Sequence, residues 1–332
     1  MGRPPATTSQ PSDDDRVCDH GLHRGGARLA AADARMARQF RLVRAPTGRV
    51  LGAVGIEVLS MNAPATAIDF DRQTVEVSEQ RLGKLRIFNL VMGLLHLVSG
   101  SLMVILGNDF ELDISTFALD GPPGTPLADG SINQVWGLPL AWATAAFLFL
   151  SAFFHLLIAS PLAFRAYGNE LRRNRNRFRW VEYAISSTLM IVLIALVTGI
   201  TDLAALISIA FVNASMILFG WLMEMSNQFD RKTWWTPFWF GCVAGIGPWI
   251  AIATYIMVNV SRDGGEGPPG FVYGIIFSIF FFFNTFAINQ WLQYRKIGKW
   301  ADYLRGETTY IVLSLTAKSV LAWQIFANTL ID

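Results

Sequence analysis

The chain has 332 residues, of which 52% are hydrophobic, 13% aromatic and only 16% charged, with a formal net charge of +2. So few charged side chains cannot cover a soluble domain of this size with water-facing surface, and so small a net charge does not favour nucleic acid as a partner. The composition points to a lipid bilayer as the solvent.

Residues 1–78 mix Arg, Ala, Gly, Pro and Asp without a sustained apolar period. Such a segment cannot bury a core, so a disordered N-terminal extension is expected, followed by one domain over 79–332. The extension lacks the apolar run and small-residue cleavage site of a secretory signal, and Met61 is an alternative start to Met1. Cys18 falls in this polar tail and Cys242 in an apolar run, so no disulfide framework is expected.

Apolar runs follow near 87–106, 135–163, 180–200, 203–223, 237–260, 271–294 and 309–331. At about 1.5 Å per residue each crosses roughly 30 Å of hydrocarbon, which predicts an all-α membrane protein of seven transmembrane helices. Within the first connection, 107–134, alternating apolar residues in FELDISTFAL precede the turn-rich DGPPGTPLADG, the pattern of a β-hairpin. The third connection, at TGITD, is so short that its two helices must be antiparallel neighbours.

The connections carry charge unevenly. Arg81, Lys84 and Arg86 precede the first span, and the loop after it holds Asp109, Glu111, Asp113, Asp120 and Asp129 with no Lys or Arg. The next loop reverses the sign, with Arg165, Arg172, Arg173, Arg175, Arg177 and Arg179 against Glu170 alone. Arg231, Lys232, Arg295, Lys296, Lys299 and Arg305 continue the basic side, while Arg262 is the one basic residue of the opposite loops. Cytoplasmic loops hold the Lys and Arg, so the N-terminus is expected in the cytoplasm and the C-terminus outside, in a multi-pass protein of the cell membrane. The arginine-dense loop reads first as membrane anchoring and, as the alternative, as a surface for an acidic cytoplasmic partner.

An unpaired charge inside a span costs several kcal/mol, and two charged residues there stand out. Lys318, within TYIVLSLTAKSVLAWQIFANTL, is too deep to reach the interface by snorkelling, and Glu182 of the third span is the matching acid. Counted from Thr309, Lys318 lies about 14 Å from the basic end, and Glu182 reaches a similar depth if its helix begins near Asn174. An ion pair across the bundle is therefore expected. Such pairs seldom repay their desolvation as mere staples, whereas a deep amine is a nucleophile that condenses with an aldehyde to a Schiff base.

At this point five segments together resemble one family. SLTAKSVLAWQ, RWVEYAISSTLM, FFHLLIAS, LLHLVSG and FFFFNTFAINQWLQY, in the seventh, third, second, first and sixth spans, are similar to the corresponding helices of heliorhodopsins. The resemblance covers about 80–332 and implies a seven-helix rhodopsin-like bundle holding all-trans-retinal covalently on Lys318, with Glu182 balancing the positive charge. Ser186, one turn beyond Glu182, and Ser314, one turn before Lys318, face the same region. The resemblance also implies that His96 and His155 form a polar network on the cytoplasmic side of the retinal. It assigns the pocket walls to Asn213, Met216, Gly220, Trp239, Pro248, Phe283, Gln290 and Trp323, although aromatic residues and Met at helical spacing also serve as ordinary packing. A homodimer is implied as well.

Ion-pumping microbial rhodopsins, to which the resemblance invites comparison, typically place further acids one turn before the retinal lysine and about three turns beyond the third-helix acceptor, because a proton must be handed on across hydrocarbon. Those positions hold Ser314 and Leu193. Glu182 is thus read as the single acid of the site, and vectorial pumping is disfavoured. The expectation is a non-enzymatic, light-sensing protein that signals through its cytoplasmic side. A light-gated passive proton channel using His96, His155 and Glu182 is the alternative, and a retinal-free transporter or structural protein would require an unmodified Lys318.

Overall fold

The computed structural model describes residues 74–228, 231–261 and 267–330. The expected N-terminal extension up to residue 73, with Met61 and Cys18, lies outside the described residues, as does Arg262.

Helix α1 spans Glu79–Leu106 and starts where the Ser78 hydroxyl accepts from the Arg81 N–H at 3.4 Å. It leads into a hairpin of β1, Glu111–Leu119, and β2, Gly130–Pro139. The strands pair antiparallel from Glu111 opposite Pro139 to Leu119 opposite Gly130, with a bulge between Ile114 and Ser115. The expected hairpin is present, but the run 135–163 is not one helix. Its first five residues belong to β2, and α2 spans Leu140–Ala159. Residues Gly130–Pro139 pair along β1, and Pro139 stands at the boundary, where its missing N–H costs the helix nothing.

A short helix that the apolar runs did not reveal, α3 over Phe164–Arg172, crosses the basic end with Tyr167 and Leu171 buried. Phe164, Tyr167 and Leu171 recur at helical spacing, so one face is apolar and the arginines take the other. Asn174, in the left-handed region at φ 53, turns the chain towards α4, Arg177–Val197, which is capped by Asn176. Then come α5, Leu203–Ser226, α6, Thr236–Ser261, α7, Gly270–Arg295, and α8, Tyr303–Ile325. Gly199 at φ +97 permits the tight α4–α5 turn, so these helices are antiparallel neighbours. Among the described residues seven helices are long and apolar enough to cross a membrane.

The hairpin is fastened across one end of the bundle. The Ser115 N–H donates to the Thr201 carbonyl at 2.9 Å, and Ile114 enters the core. Two apolar clusters result. One, beneath the hairpin, gathers residues such as Met103, Leu148, Ile191 and Leu321; the other, at the basic end, gathers Leu82, Tyr167, Tyr303 and Ile311. Between them α1, α2, α4 and α8 contribute buried polar side chains: Asn89, His96, Ser151, His155, Glu182, Ser186, Ser314 and Lys318. That layer is where function is to be sought, because burying polar groups in a lipid-spanning bundle is costly.

A lysine and carboxylate site inside the bundle

Lys318 on α8 and Glu182 on α4 meet as expected. The Lys318 Nζ donates to Glu182 Oε1 at 2.6 Å and to Ser314 Oγ at 2.8 Å, with both ionic side chains about 95% buried. Helical side chains lean towards the N-terminus of their helix, which carries Nζ back over Ser314 one turn earlier. The equal-depth counting does not hold. From the helix starts at Tyr303 and Arg177, Lys318 is about 22 Å along α8 and Glu182 about 8 Å along α4. The pair forms because the first turns of α8 reach further out, packing Tyr303 and Leu304 beside Tyr167 and Leu171. The sequence reading missed a partner on α2: the Ser151 hydroxyl donates to Glu182 Oε1 at 2.6 Å. Lys318 also stands 5.2 Å from the centre of the Tyr183 ring, a cation–π contact.

Lys318 also lines a cavity of about 350 Å³. Its walls are mostly apolar and aromatic: Trp180, Tyr183, Met190, Met216, Phe238, Trp249, Phe283 and Phe286, with Ser186, Gly220, Gln290 and Ser314. Ser186, Met216, Gly220, Phe283, Gln290 and Ser314 line this cavity. Trp239, Pro248 and Trp323 do not. Trp239 is 59% exposed on the outside of α6, Trp323 is 38% exposed on α8, and buried Pro248 is absent from the wall. On α6 the wall includes Phe238, Gly241, Gly245 and Trp249. Asn213 stands behind the wall, donating to Ser187 and Thr188 of α4 at 2.9 and 3.0 Å. Between α6 and α7 the wall residues Cys242, Ile246, Phe280 and Asn284 are also exposed, so the cavity reaches the bundle surface there.

The donor set suits retinal. A mostly apolar cavity has the Lys318 amine in its wall, and the Ser186 hydroxyl, fully buried in the same wall, has no partner on the protein. A buried hydroxyl left so costs about 1–3 kcal/mol, which a polar linkage beside Lys318 would recover.

His96 and His155 are stacked, with ring centres 5.7 Å apart and 11° between planes. Nδ1 of His155 lies 2.7 Å from Asn89 Oδ1, a partner the sequence did not single out, while neither ring nitrogen of His96 has a partner on the protein.

A second charged group was hidden in the loop arithmetic. Arg179, read as one of the anchoring arginines, is buried and pairs with Glu224 of α5 at 2.7 Å and with Glu307 of α8. Both acids lie just past the ends of the expected apolar runs and so outside the expected spans. The neighbouring Arg175 and Arg177 are held by buried Glu170, at 3.1 and 2.7 Å. The sequence does carry a signal for this: acids at the rim of two spans, Glu224 and Glu307, together with one arginine-rich loop.

The heliorhodopsin family model matches residues 85–330. Among solved structures, the crystal structure of the transmembrane domain of Salpingoeca rosetta rhodopsin phosphodiesterase is similar, with a TM-score of 0.54 at 14% identity. The match covers 75% of this chain and 86% of that one, and at that identity it speaks for the fold alone. No curated protein matches. With the family match spanning well over half of its length, this chain belongs to the heliorhodopsins, multi-pass membrane rhodopsins that bind retinal and respond to light.

Proposed function

We propose that Lys318 carries all-trans-retinal as a covalent Schiff base and that the protein is a photosensor rather than a pump. The observation that carries this reading is the Lys318 Nζ, 2.6 Å from Glu182 and in the wall of the 350 Å³ apolar cavity. Among the described residues Lys318 is the one buried lysine, so it alone offers an amine to an aldehyde inside the bundle. Condensation joins Nζ to the aldehyde carbon and releases one water. When bound, retinal supplies a light-driven double-bond rotation. Glu182 holds the positive charge at nitrogen, Ser151 orients Glu182 from behind, and Ser314 gives the nitrogen a second partner. The aromatic wall confines the chain that rotates. Motion at Lys318 is then transmitted as a disturbed ion pair on α4 and α8, elements that both reach the basic end.

With the basic loops in the cytoplasm by the positive-inside rule, that end is the output side, with the N-terminus inside and the C-terminus outside. An acidic cytoplasmic partner and a homodimer belong to the same proposal. No catalytic step is assigned. Ser314 and Leu193, where a pump would need acids, support sensing over transport. The passive proton channel stands as the second reading, on the observation that His155, Asn89, Glu182 and Glu307 line one small cavity.

The deciding experiment expresses the chain with all-trans-retinal and records the visible spectrum beside light-induced current at clamped voltage. A pigment without current is expected. Current down an imposed proton gradient selects the channel, and absence of any visible band sinks both.

A further inference from the structure

Arg179, Glu224 and Glu307 bring two carboxylates and one guanidinium together, each side chain at most 4% exposed. With both acids ionised the group would hold a net charge of −1 in a low-dielectric interior, where isolated charge costs several kcal/mol. The nearby cations are engaged elsewhere, Arg175 and Arg177 by Glu170 and Lys318 by Glu182. Among the described residues the cluster is also faced by phenols, Tyr167 from α3 and Tyr303 and Tyr310 from α8.

Donors are divided unequally. Glu224 accepts from the Asn176 N–H at 2.9 Å, Arg179 Nη2 at 2.7 Å, Trp180 Nε1 at 2.5 Å and Tyr303 Oη at 2.7 Å. The Asn176 N–H opens α4, so the positive end of a helix also favours an anion there. Glu307 accepts from Asn176 Nδ2 at 2.5 Å and from Arg179, and its remaining donor, the Tyr167 hydroxyl, stands off at 3.5 Å. Glu224 is built to be the anion; Glu307 is the carboxyl best able to remain neutral.

A cavity of about 20 Å³ separates this cluster from the lysine site, lined by Glu307, Arg179 and Asn176 on one side and by Glu182, His155 and Asn89 on the other. A water needs about 10–15 Å³ of such space and two to four polar partners, so the cavity takes one. We propose that Arg179, Glu224 and Glu307 form a site that stores one proton, carried by Glu307, and exchanges it with the Glu182 and His155 side through this cavity. In the exchange the Glu307 O–H bond breaks, one water relays the proton to the Glu182 carboxylate or the His155 imidazole, and Glu307 remains as an anion paired with Arg179. No electron moves. Storage is independent of retinal; the exchange half rests on the proposed light response at Lys318.

The test is infrared absorption of the full chain in liposomes. The retinal-free chain is expected to show in the dark a protonated carboxylic-acid carbonyl band that shifts in D₂O. Glu307→Gln loses this band. So does Glu224→Gln, because either change leaves one carboxylate for one guanidinium. Should the Gln variants not fold, Glu307→Asp must move the band instead. A band untouched by all three variants, or no such band at all, overturns storage. In the retinal-loaded chain, illumination is expected to change the same band, and a normal photocycle that leaves it unchanged overturns exchange. A chain that binds no retinal defeats the photosensor reading, while the dark band still decides storage.

Discussion

Lys318 and Glu182 stabilise each other only as a pair. Removing one partner of a buried ion pair leaves an uncompensated charge and costs about 3–5 kcal/mol. Lys318→Ala is therefore expected to be colourless with all-trans-retinal and less stable, whereas Lys318→Ala/Glu182→Gln is colourless with folding recovered. Visible spectra and thermal melts check both, and a visible band surviving in either variant would place the chromophore elsewhere. Glu182→Gln removes the negative charge beside the linkage, so the visible band moves to longer wavelength where the positive charge persists and is lost where it does not. An unchanged spectrum sinks the counterion role. Ser151→Ala deletes a 2.6 Å hydrogen bond to that carboxylate, worth about 1.5–3 kcal/mol for a charged acceptor, and is expected to shift the same band in the same direction by less.

The helices matter here for how closely α4 and α5 approach. A Cβ built at Gly220 of α5 would lie 2.5 Å from Cζ3 of Trp180, whose Nε1 holds Glu224. Gly220→Ala must push that indole, and overpacking of this kind costs about 1–3 kcal/mol. The expected result is a lower melting temperature together with a displaced visible band, since Trp180 also walls the cavity. A melt and spectrum equal to wild type would show that α5 simply moves away. In α3 the two jobs of the arginine-rich loop are separated. Arg175 and Arg177 hold Glu170, and Arg172 meets Glu79 at the surface, where such pairs contribute little. Anchoring by charge and locking by buried pairs thus come from one run of sequence.

Across the whole bundle the polar layer stays narrow, and beneath the hairpin it gives way to the apolar cluster of Leu193, Ile194 and Leu321. No sustained light-driven pH change is therefore expected in unbuffered cells expressing the pigment; a steady, uncoupler-sensitive change would overturn the sensor reading. The one-sided distribution of Lys and Arg predicts that an N-terminal epitope is labelled only after permeabilisation and a tag beyond Asp332 on intact cells. Opposite labelling would reverse the bundle and move the output side to the hairpin.

The sequence alone determined the number of spans, the hairpin, the loop charge asymmetry and the meeting of Lys318 with Glu182. Each rests on a local or one-dimensional property: run length, alternation, or the cost of charge in hydrocarbon. The exact ends of helices were not so determined, because Ser78, Asn176 and Pro139 set them through caps and backbone geometry that apolar runs do not record. The tertiary structure alone decided which α6 side chains wall the cavity: Phe238 and Trp249 line it, whereas Trp239 and Pro248, both expected there, do not. It likewise decided that Arg179 is interior, with Glu224 and Glu307 converging on it from two other helices. A residue at the rim of a span is exposed or buried according to how far its neighbours extend past it. That depends on the relative shift of packed helices, which no single stretch of sequence contains.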